Sequence, residues 1–224
     1  MEAISISKKY KDKTILHNVS FTLAAGQAMA IVGDNGAGKS TLMQILASMV
    51  TPTAGDVRYR GKSIFAEPSV IRQAMSYVPQ EIALHQNLRV IDNLRFWADM
   101  SGLSSAEKKA RIPALAERFG LTEHMKTPVS KLSGGLRRRL NICISLFRDP
   151  EIIFLDEPTA NVDGHTKDTI LEWIGSMKQE GKTIIYITHL HEEARQLADR
   201  VLQLEDGRVC YDGDAAAFFS GRGL

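Results

Sequence analysis

The sequence has little cysteine, little charge imbalance and no long apolar run, and each shortage excludes something. Cys143 and Cys210 are its only cysteines, far apart and without CxxC spacing, the usage of incidental core thiols in a reducing compartment. No apolar run approaches the ~20 residues of a membrane-spanning helix, so any membrane role is expected to come through a partner. Met1-Glu2-Ala3-Ile4 has neither the basic region nor the apolar stretch of a signal peptide, and a soluble, cytoplasmic protein is expected. The 28 Lys and Arg against 26 Asp and Glu leave a formal charge of +2, with both signs interspersed. A dedicated nucleic-acid binder concentrates basic charge on one face, so no nucleic-acid partner is expected. Internal repeats and low-complexity segments are also absent. What is present, 44% apolar and 24% charged residues over 224 positions, suits one globular core with room for a small insertion.

The first eighty residues read as strands around one helix. Ile4 and Ile6 alternate with serines, and Val19, Phe21 and Leu23 alternate with polar residues, a half-buried strand pattern. Ala28 to Val32 is continuously apolar and ends at Gly33, as in a strand buried on both faces. Leu42, Ile45, Leu46 and Met49 then recur at helical spacing, and Val57 and Tyr59 mark a strand before the Arg60-Gly61 turn. From about Leu88 to Gly120 the pattern is helical, with Leu94, Trp97 and Ala98 on one face. Ser104-x-x-Glu107 reads as a capping box and Gly120 as a helix C-cap, while Pro113 predicts two pieces or a bend. Leu136, Leu140, Cys143, Ile144 and Phe147 form another helical stripe. Strand and helix then alternate: Ile152 to Leu155, Ile170 to Met177 capped by Gly181, Thr183 to Thr188, Glu192 to Ala198, Val201 to Leu204. That alternation predicts an α/β fold with a parallel sheet, and makes the helical middle an insertion into it.

Three segments carry chemistry. Gly33-Asp34-Asn35-Gly36-Ala37-Gly38-Lys39-Ser40 has P-loop spacing between a buried strand and a helix. Its glycines let successive N–H groups face phosphate oxygens at a positively polarised helix end. Lys39 would reach the β- and γ-phosphates, Ser40 would bind Mg²⁺, and Thr41 is placed for a phosphate as well. Ile152 to Leu155 ends in Asp156-Glu157, a carboxylate position that in P-loop enzymes holds Mg²⁺. Glu157 is offset towards the γ-phosphate, where it would orient or deprotonate water. In Leu132-Ser133-Gly134-Gly135, Ser133 suits an N-cap, and the glycines leave the N–H groups of a second helix open to an anion. Arg137, Arg138 and Arg139 sit at the unfavourable end of that helix dipole. An anion held there would offset this; a solvated basic face is the plainer alternative. His191 and Glu192 suggest a metal pair, but no third ligand has suitable spacing.

Taken in order, the P-loop, Gln80 after a strand, the Leu-Ser-Gly-Gly signature, the Asp-Glu strand, Asp163 in a short loop and His189 resemble the nucleotide-binding domain of an ATP-binding cassette (ABC) protein. The resemblance covers essentially the whole chain. It implies one domain over 1–224: a P-loop NTPase core with a mostly parallel sheet and an N-terminal antiparallel β part, over 1–80 and 149–224, with a helical subdomain at 81–148 that carries the signature. It also implies a head-to-tail dimer in which each ATP lies between one subunit's P-loop and the other's Ser133, Gly134 and Gly135. By the same resemblance Tyr10 stacks on adenine, Gln80 contacts Mg²⁺ or water, Asp163 communicates across the dimer and His189 senses the γ-phosphate. Taken alone, Tyr10 reads as a surface tyrosine and His189 as a strand-end histidine.

Leu136 stands where the family most often has glutamine, and Asn161-Val162 where alanine or serine and leucine are usual. Neither change removes a backbone donor or Asp163. The apolar residue and basic triplet after the signature, with Asn93 to Trp97, resemble subunits serving exporters of the ABC-2 type. The function implied is an ATPase that binds ATP and Mg²⁺ and works with a second ATPase subunit, identical or not. It would drive export through a transmembrane permease on a separate chain, acting on the cytoplasmic face of the membrane. The permease would dock around Leu84 to Gly102, where Phe96 and Trp97 line the groove or belong to the core. The alternatives are a soluble ABC ATPase remodelling DNA or ribosomes, and a P-loop kinase or GTPase. No guanine-reading Asn-Lys-x-Asp is found, and a kinase gives no reason for the signature.

Overall fold

Alternating apolar and polar residues build the first sheet. In the computed structural model, which describes residues 1–81 and 83–220, β1 (Glu2–Tyr10) and β2 (Lys13–Thr22) pair antiparallel, burying Ala3, Ile6, Leu16, Val19 and Phe21. The next strand, β3 (Ala28–Val32), is buried at all five positions. Ala28, Ala30 and Val32 enter one hydrophobic cluster, Met29 and Ile31 the other. Both faces of β3 are therefore covered, which explains its unbroken apolar run. Helix α1 (Lys39–Leu46) follows, and β4 (Ala54–Tyr59) and β5 (Lys62–Ser63) complete an antiparallel sheet of order β2-β1-β4-β5.

Helix α2 (Pro68–Ala74) leads into β6 (Met75–Val78). Three helices come next: α3 (Val90–Met100), α4 (Ser105–Arg118) and α5 (Gly134–Ser145). The chain then alternates through β7 (Ile152–Asp156), α6 (Gly164–Gln179), β8 (Thr183–Ile187), α7 (His191–Leu197) and β9 (Arg200–Glu205), and ends in β10 (Arg208–Asp214) and α8 (Ala215–Ser220). The second sheet has the order β10-β9-β3-β8-β7-β6. All its pairs are parallel except β10 with β9. β7 and β8 repeat the two-sided burial of β3, with Ile153, Leu155, Ile184 and Tyr186 on one face and Ile152, Phe154, Ile185 and Ile187 on the other. Because β6, β7, β8 and β3 are parallel neighbours, their C-terminal ends share one edge, where open α/β sheets place ligands.

The capping box forms: Ser104 Oγ accepts from the Glu107 N–H, and the Glu107 carboxylate accepts from the Ser104 N–H, worth about 1 kcal/mol. Gly120 has φ 61°, fitting a C-cap. Several expectations need correcting. α4 runs through Pro113 as one helix, so of the two outcomes expected there, two pieces or a bend, the division into two pieces does not occur. Pro113 and Lys109, whose carbonyl loses its partner, are both exposed, so water meets the orphaned oxygen. α1 stops at Leu46, and Met49 is 58% exposed instead of on the helix's inner face. Of the two thiols, Cys143 is buried but Cys210 is exposed. α2, β10 and α8 are additional elements.

Candidate nucleotide site

The P-loop conformation follows from its glycines. Gly33 (φ 145°) passes so close to β9 that a Cβ there would lie 2.2 Å from the Leu204 carbonyl oxygen. Gly38 (φ 98°) would place a Cβ 2.7 Å from a Leu16 methyl. No other residue type meets both demands, left-handed backbone and close approach. Gly38 is the N-cap of α1, which has no side-chain cap bond and no acidic residue in its first turn, so the free N–H groups of that turn are open to an anion. The buried Lys39 ammonium donates to the Gly33 and Asp34 carbonyls at 2.8 and 2.9 Å. An ammonium has three N–H groups, so one remains for a ligand. Burial lowers the Lys39 pKa, against the opposing charges of Glu157, Asp34 and Asp156. Asn35, Gly36 and Ser40 are exposed along the loop and Thr41 is half-buried.

Beside the loop, β7 delivers two carboxylates to different surroundings. Asp156 is buried; its Oδ2 accepts from Tyr77 Oη at 3.0 Å, while its Oδ1 is buried without a hydrogen-bond partner among the described residues. Burial raises the Asp156 pKa; the Tyr77 bond lowers it and the Glu157 charge raises it further. A buried carboxylate oxygen left bare is poised for a cation, and hard oxygen ligands suit Mg²⁺. Glu157 lies in the left-handed region at φ 48°. Its Oε2 accepts from Gln80 Nε2 at 2.8 Å and its Oε1 lies 3.0 Å from His189 Nε2. Gln80, Glu157 and His189, which follow β6, β7 and β8, therefore meet as one group. Each carboxylate oxygen can accept a second hydrogen bond, so Glu157 can still receive a water.

The signature forms a separate group. Ser133 N-caps α5, its Oγ accepting from the Leu136 N–H at 3.2 Å. A Cβ on Gly135 would sit 2.7 Å from Thr166 Oγ1 on α6, so α5 and α6 touch only because this residue is glycine. Asp163 N-caps α6 and accepts from both the N–H and the hydroxyl of Thr166. Signature and Asp163 thus meet through Thr166. Among the described residues neither hydrogen-bonds to the P-loop or to the Gln80–Glu157–His189 group. Tyr10 is 45% exposed under the Lys8 ammonium, 4.8 Å from its ring centre.

Arg138 and Arg139 depart from both expectations held for the arginine triplet. Arg138 is 2% exposed and donates to the carbonyls of Pro158 (2.7 Å), Pro79 (2.8 Å), Gln80 (3.0 Å), Asp156 (3.1 Å) and, more closely still, Glu157. Arg139 lies over the Trp173 ring at 5.4 Å. Charge alone gave no sign of this; the signal was position, five residues after an N-cap, one helical turn inward from the polar face. A second residue missed by sequence reasoning is Glu193, fully buried on α7 and bonded to Thr159 and Thr188. Phe96 is part-exposed in edge contact with His85 and Trp97, and Trp97 packs on the core.

Comparison with known proteins agrees with this geometry. A sequence model described as ABC transporter matches residues 16–160. The linearmycin resistance ATP-binding protein LnrL of Bacillus subtilis (strain 168) is 37% identical over 209 residues, 93% of this chain and 67% of its own. Nod factor export ATP-binding protein I of Rhizobium meliloti is 37% identical over 213 residues, 95% of this chain and 64% of its own. The chain spans about two thirds of the length of these relatives. Among solved structures, the dimeric post-hydrolysis state of the ATP-binding cassette MJ0796, bound to ADP and Pi, superposes with a TM-score of 0.85. It is 26% identical, covering 96% of this chain and 98% of its own.

Proposed function

The chain belongs to the ABC transporter family, and from that premise we propose that it is the ATP-hydrolysing subunit of a membrane exporter. Two copies, or one copy and a related subunit, close on ATP, hydrolyse it and reopen. The cycle drives a permease on a separate chain from the cytoplasmic face. ATP shifts that equilibrium only by binding the closed pair better than the open one. Among the described residues no helix is long and apolar enough to cross a membrane. In this reading 1–80 and 149–224 form the ATP-binding core and 81–148 the helical insertion; Ile82 and residues 221–224 lie outside the described residues.

The observation that carries the reading is the carboxylate of Glu157 held on both oxygens, at 2.8 and 3.0 Å, beside a P-loop lysine. Glu157 takes the proton of the attacking water, with Gln80 and His189 fixing its orientation. The loop from Gly33 through Asn35, Gly36 and Gly38 to Lys39 wraps the phosphates, with Thr41 on a further phosphate oxygen. Tyr10 stacks on adenine. Ser40, Asp156 and Gln80 would hold Mg²⁺, which when bound supplies neutralisation of phosphate charge. Ser133, Gly134 and Gly135 close on the ATP of the opposite subunit, with Asp163 at the same junction.

Ser133→Arg is expected to bind ATP as a monomer yet fail to dimerise with it, as read by size-exclusion light scattering of a hydrolysis-impaired background; dimer formed at wild-type levels sinks the signature assignment. For the function itself, tagged Glu157→Gln protein would be purified with Mg-ATP from detergent-solubilised membranes. Near-stoichiometric recovery of a polytopic membrane protein is the expected result. Recovery from the soluble fraction with nucleic acid or ribosomes would overturn the transport reading and leave the ATPase chemistry standing.

A further inference from the structure

Behind the Glu157–His189 contact lies a second, fully buried contact joining the same two chain segments. Glu193, 1% exposed in the first turn of α7, accepts from Thr159 Oγ1 at 2.6 Å through Oε1 and from Thr188 Oγ1 at 2.6 Å through Oε2. Thr159 lies two residues after Glu157, and Thr188 immediately precedes His189. The contacts close a ring: Glu157, Pro158, Thr159, Glu193, Thr188, His189 and back to Glu157 at 3.0 Å. Thr188 Oγ1 also accepts from the Leu190 N–H at 3.0 Å, fixing the turn that carries His189. On the other side the Lys167 ammonium lies 3.6 Å from Glu193 Oε1. Lys167 is in the first turn of α6 and donates its N–H to the Asp163 carbonyl at 2.9 Å.

A buried carboxylate is expensive to hold in a core unless its partners are well placed. An apolar residue would pack α7 at least as well, whereas it takes a side chain of this reach ending in two polar atoms to bond both hydroxyls at once. We propose that Glu193 is a positioning residue: it holds the segments bearing Glu157 and His189 at fixed separation, and so sets the hydrolytic rate without touching nucleotide. Through Lys167 it also joins that pair to the helix capped by Asp163. The inference rests on Glu157 being the base, as in the function proposed above.

The test is steady-state ATPase of Glu193→Ala, Glu193→Gln and Thr188→Val, with folded fraction read by thermal unfolding. Glutamine accepts from one threonine and donates to the other's rotatable hydroxyl, so it recovers turnover to within ~3-fold. Alanine lowers kcat roughly 10–100-fold, the scale of a small misplacement of a reacting group, with KM for Mg-ATP within ~3-fold. Thr188→Val, which leaves the carboxylate in place, loses less in the same direction. In a Glu157→Gln background Glu193→Ala is expected to add no further loss, since both act on one step. A loss that only tracks folded fraction overturns the proposal; so does a rise in KM matching the fall in kcat, an equal loss in the glutamine variant, or a full further loss in the Glu157→Gln background. Normal turnover by Glu157→Gln alone would instead overturn the base assignment.

Discussion

Glu157→Gln is expected to bind Mg-ATP at least as well as the parent and to hydrolyse it about 10²–10⁴-fold more slowly, the range for a lost general base. Glutamine has nearly the same shape. Its carbonyl oxygen accepts from Gln80 Nε2, as Glu157 Oε2 does at 2.8 Å, and its amide group takes the place of Oε1 beside His189 Nε2, at the 3.0 Å contact. The cluster is kept while the group able to take a proton is lost. Binding should persist because Lys39, the P-loop glycines and the free N-terminus of α1 are untouched. Binding and chemistry separate if nucleotide affinity is measured by titration and turnover by phosphate release on the same sample. Turnover within a few-fold of the parent would remove Glu157 from the role of base and leave Gln80 and His189 without a group to orient.

The fold was legible wherever burial imposes a simple pattern. β3, β7 and β8 face two cores and read as unbroken apolar runs; α4 announces its start through a local Ser-x-x-Glu exchange. α2 was not legible. It is seven residues long with Pro68 at its start, too short for periodicity to register. Pro113 does not divide α4, because an exposed proline in a packed helix leaves its orphan carbonyl to water. The site divides likewise. P-loop, Asp-Glu and signature are contiguous motifs whose chemistry is spelled out along the chain. The meeting of Gln80, Glu157 and His189 depends on the adjacency of β6, β7 and β8, which the resemblance supplied and spacing alone did not. Arg138 and Glu193 were invisible because charge is ordinarily read as surface. Their partners are backbone carbonyls and hydroxyls far off in sequence: the Pro79 carbonyl is 59 positions from Arg138 and the Thr159 hydroxyl 34 from Glu193.

Arg138→Met should be among the most destabilising single changes in the protein, because Arg138 meets acceptors from the ends of two strands at once. Its five N–H groups all donate to carbonyls, those of Pro79 and Gln80 after β6 and those of Asp156, Glu157 and Pro158 at the end of β7. Burial pulls its pKa down to about 10, with Asp156 and Glu157 opposing, so it is still charged at neutral pH. Methionine fills much of the volume but removes all five donors; the Glu157 carbonyl keeps the Ala160 N–H at 3.1 Å, and each buried acceptor left orphaned costs about 1–3 kcal/mol. Some recover water or relax, so the expected loss is on the order of 3–5 kcal/mol rather than the full sum, a fall of roughly 10 °C in melting temperature for a domain of this size. Turnover should fall further than folded fraction explains. The Glu157 backbone is held at φ 48° by its N–H bond to the Ile187 carbonyl at 3.2 Å and, on its own carbonyl, by the Ala160 N–H at 3.1 Å and by Arg138; it loses one of three restraints on a conformation that costs about 1–3 kcal/mol. Arg138→Lys keeps the charge but has three donors in place of a planar five-donor fork, and is expected to fall between. Melting of the methionine variant within about 2 °C of the parent, under 1 kcal/mol on the same scale, would mean that the carbonyls at the ends of β6 and β7 find other donors, and that the join between the signature helix and the catalytic edge does not depend on this guanidinium.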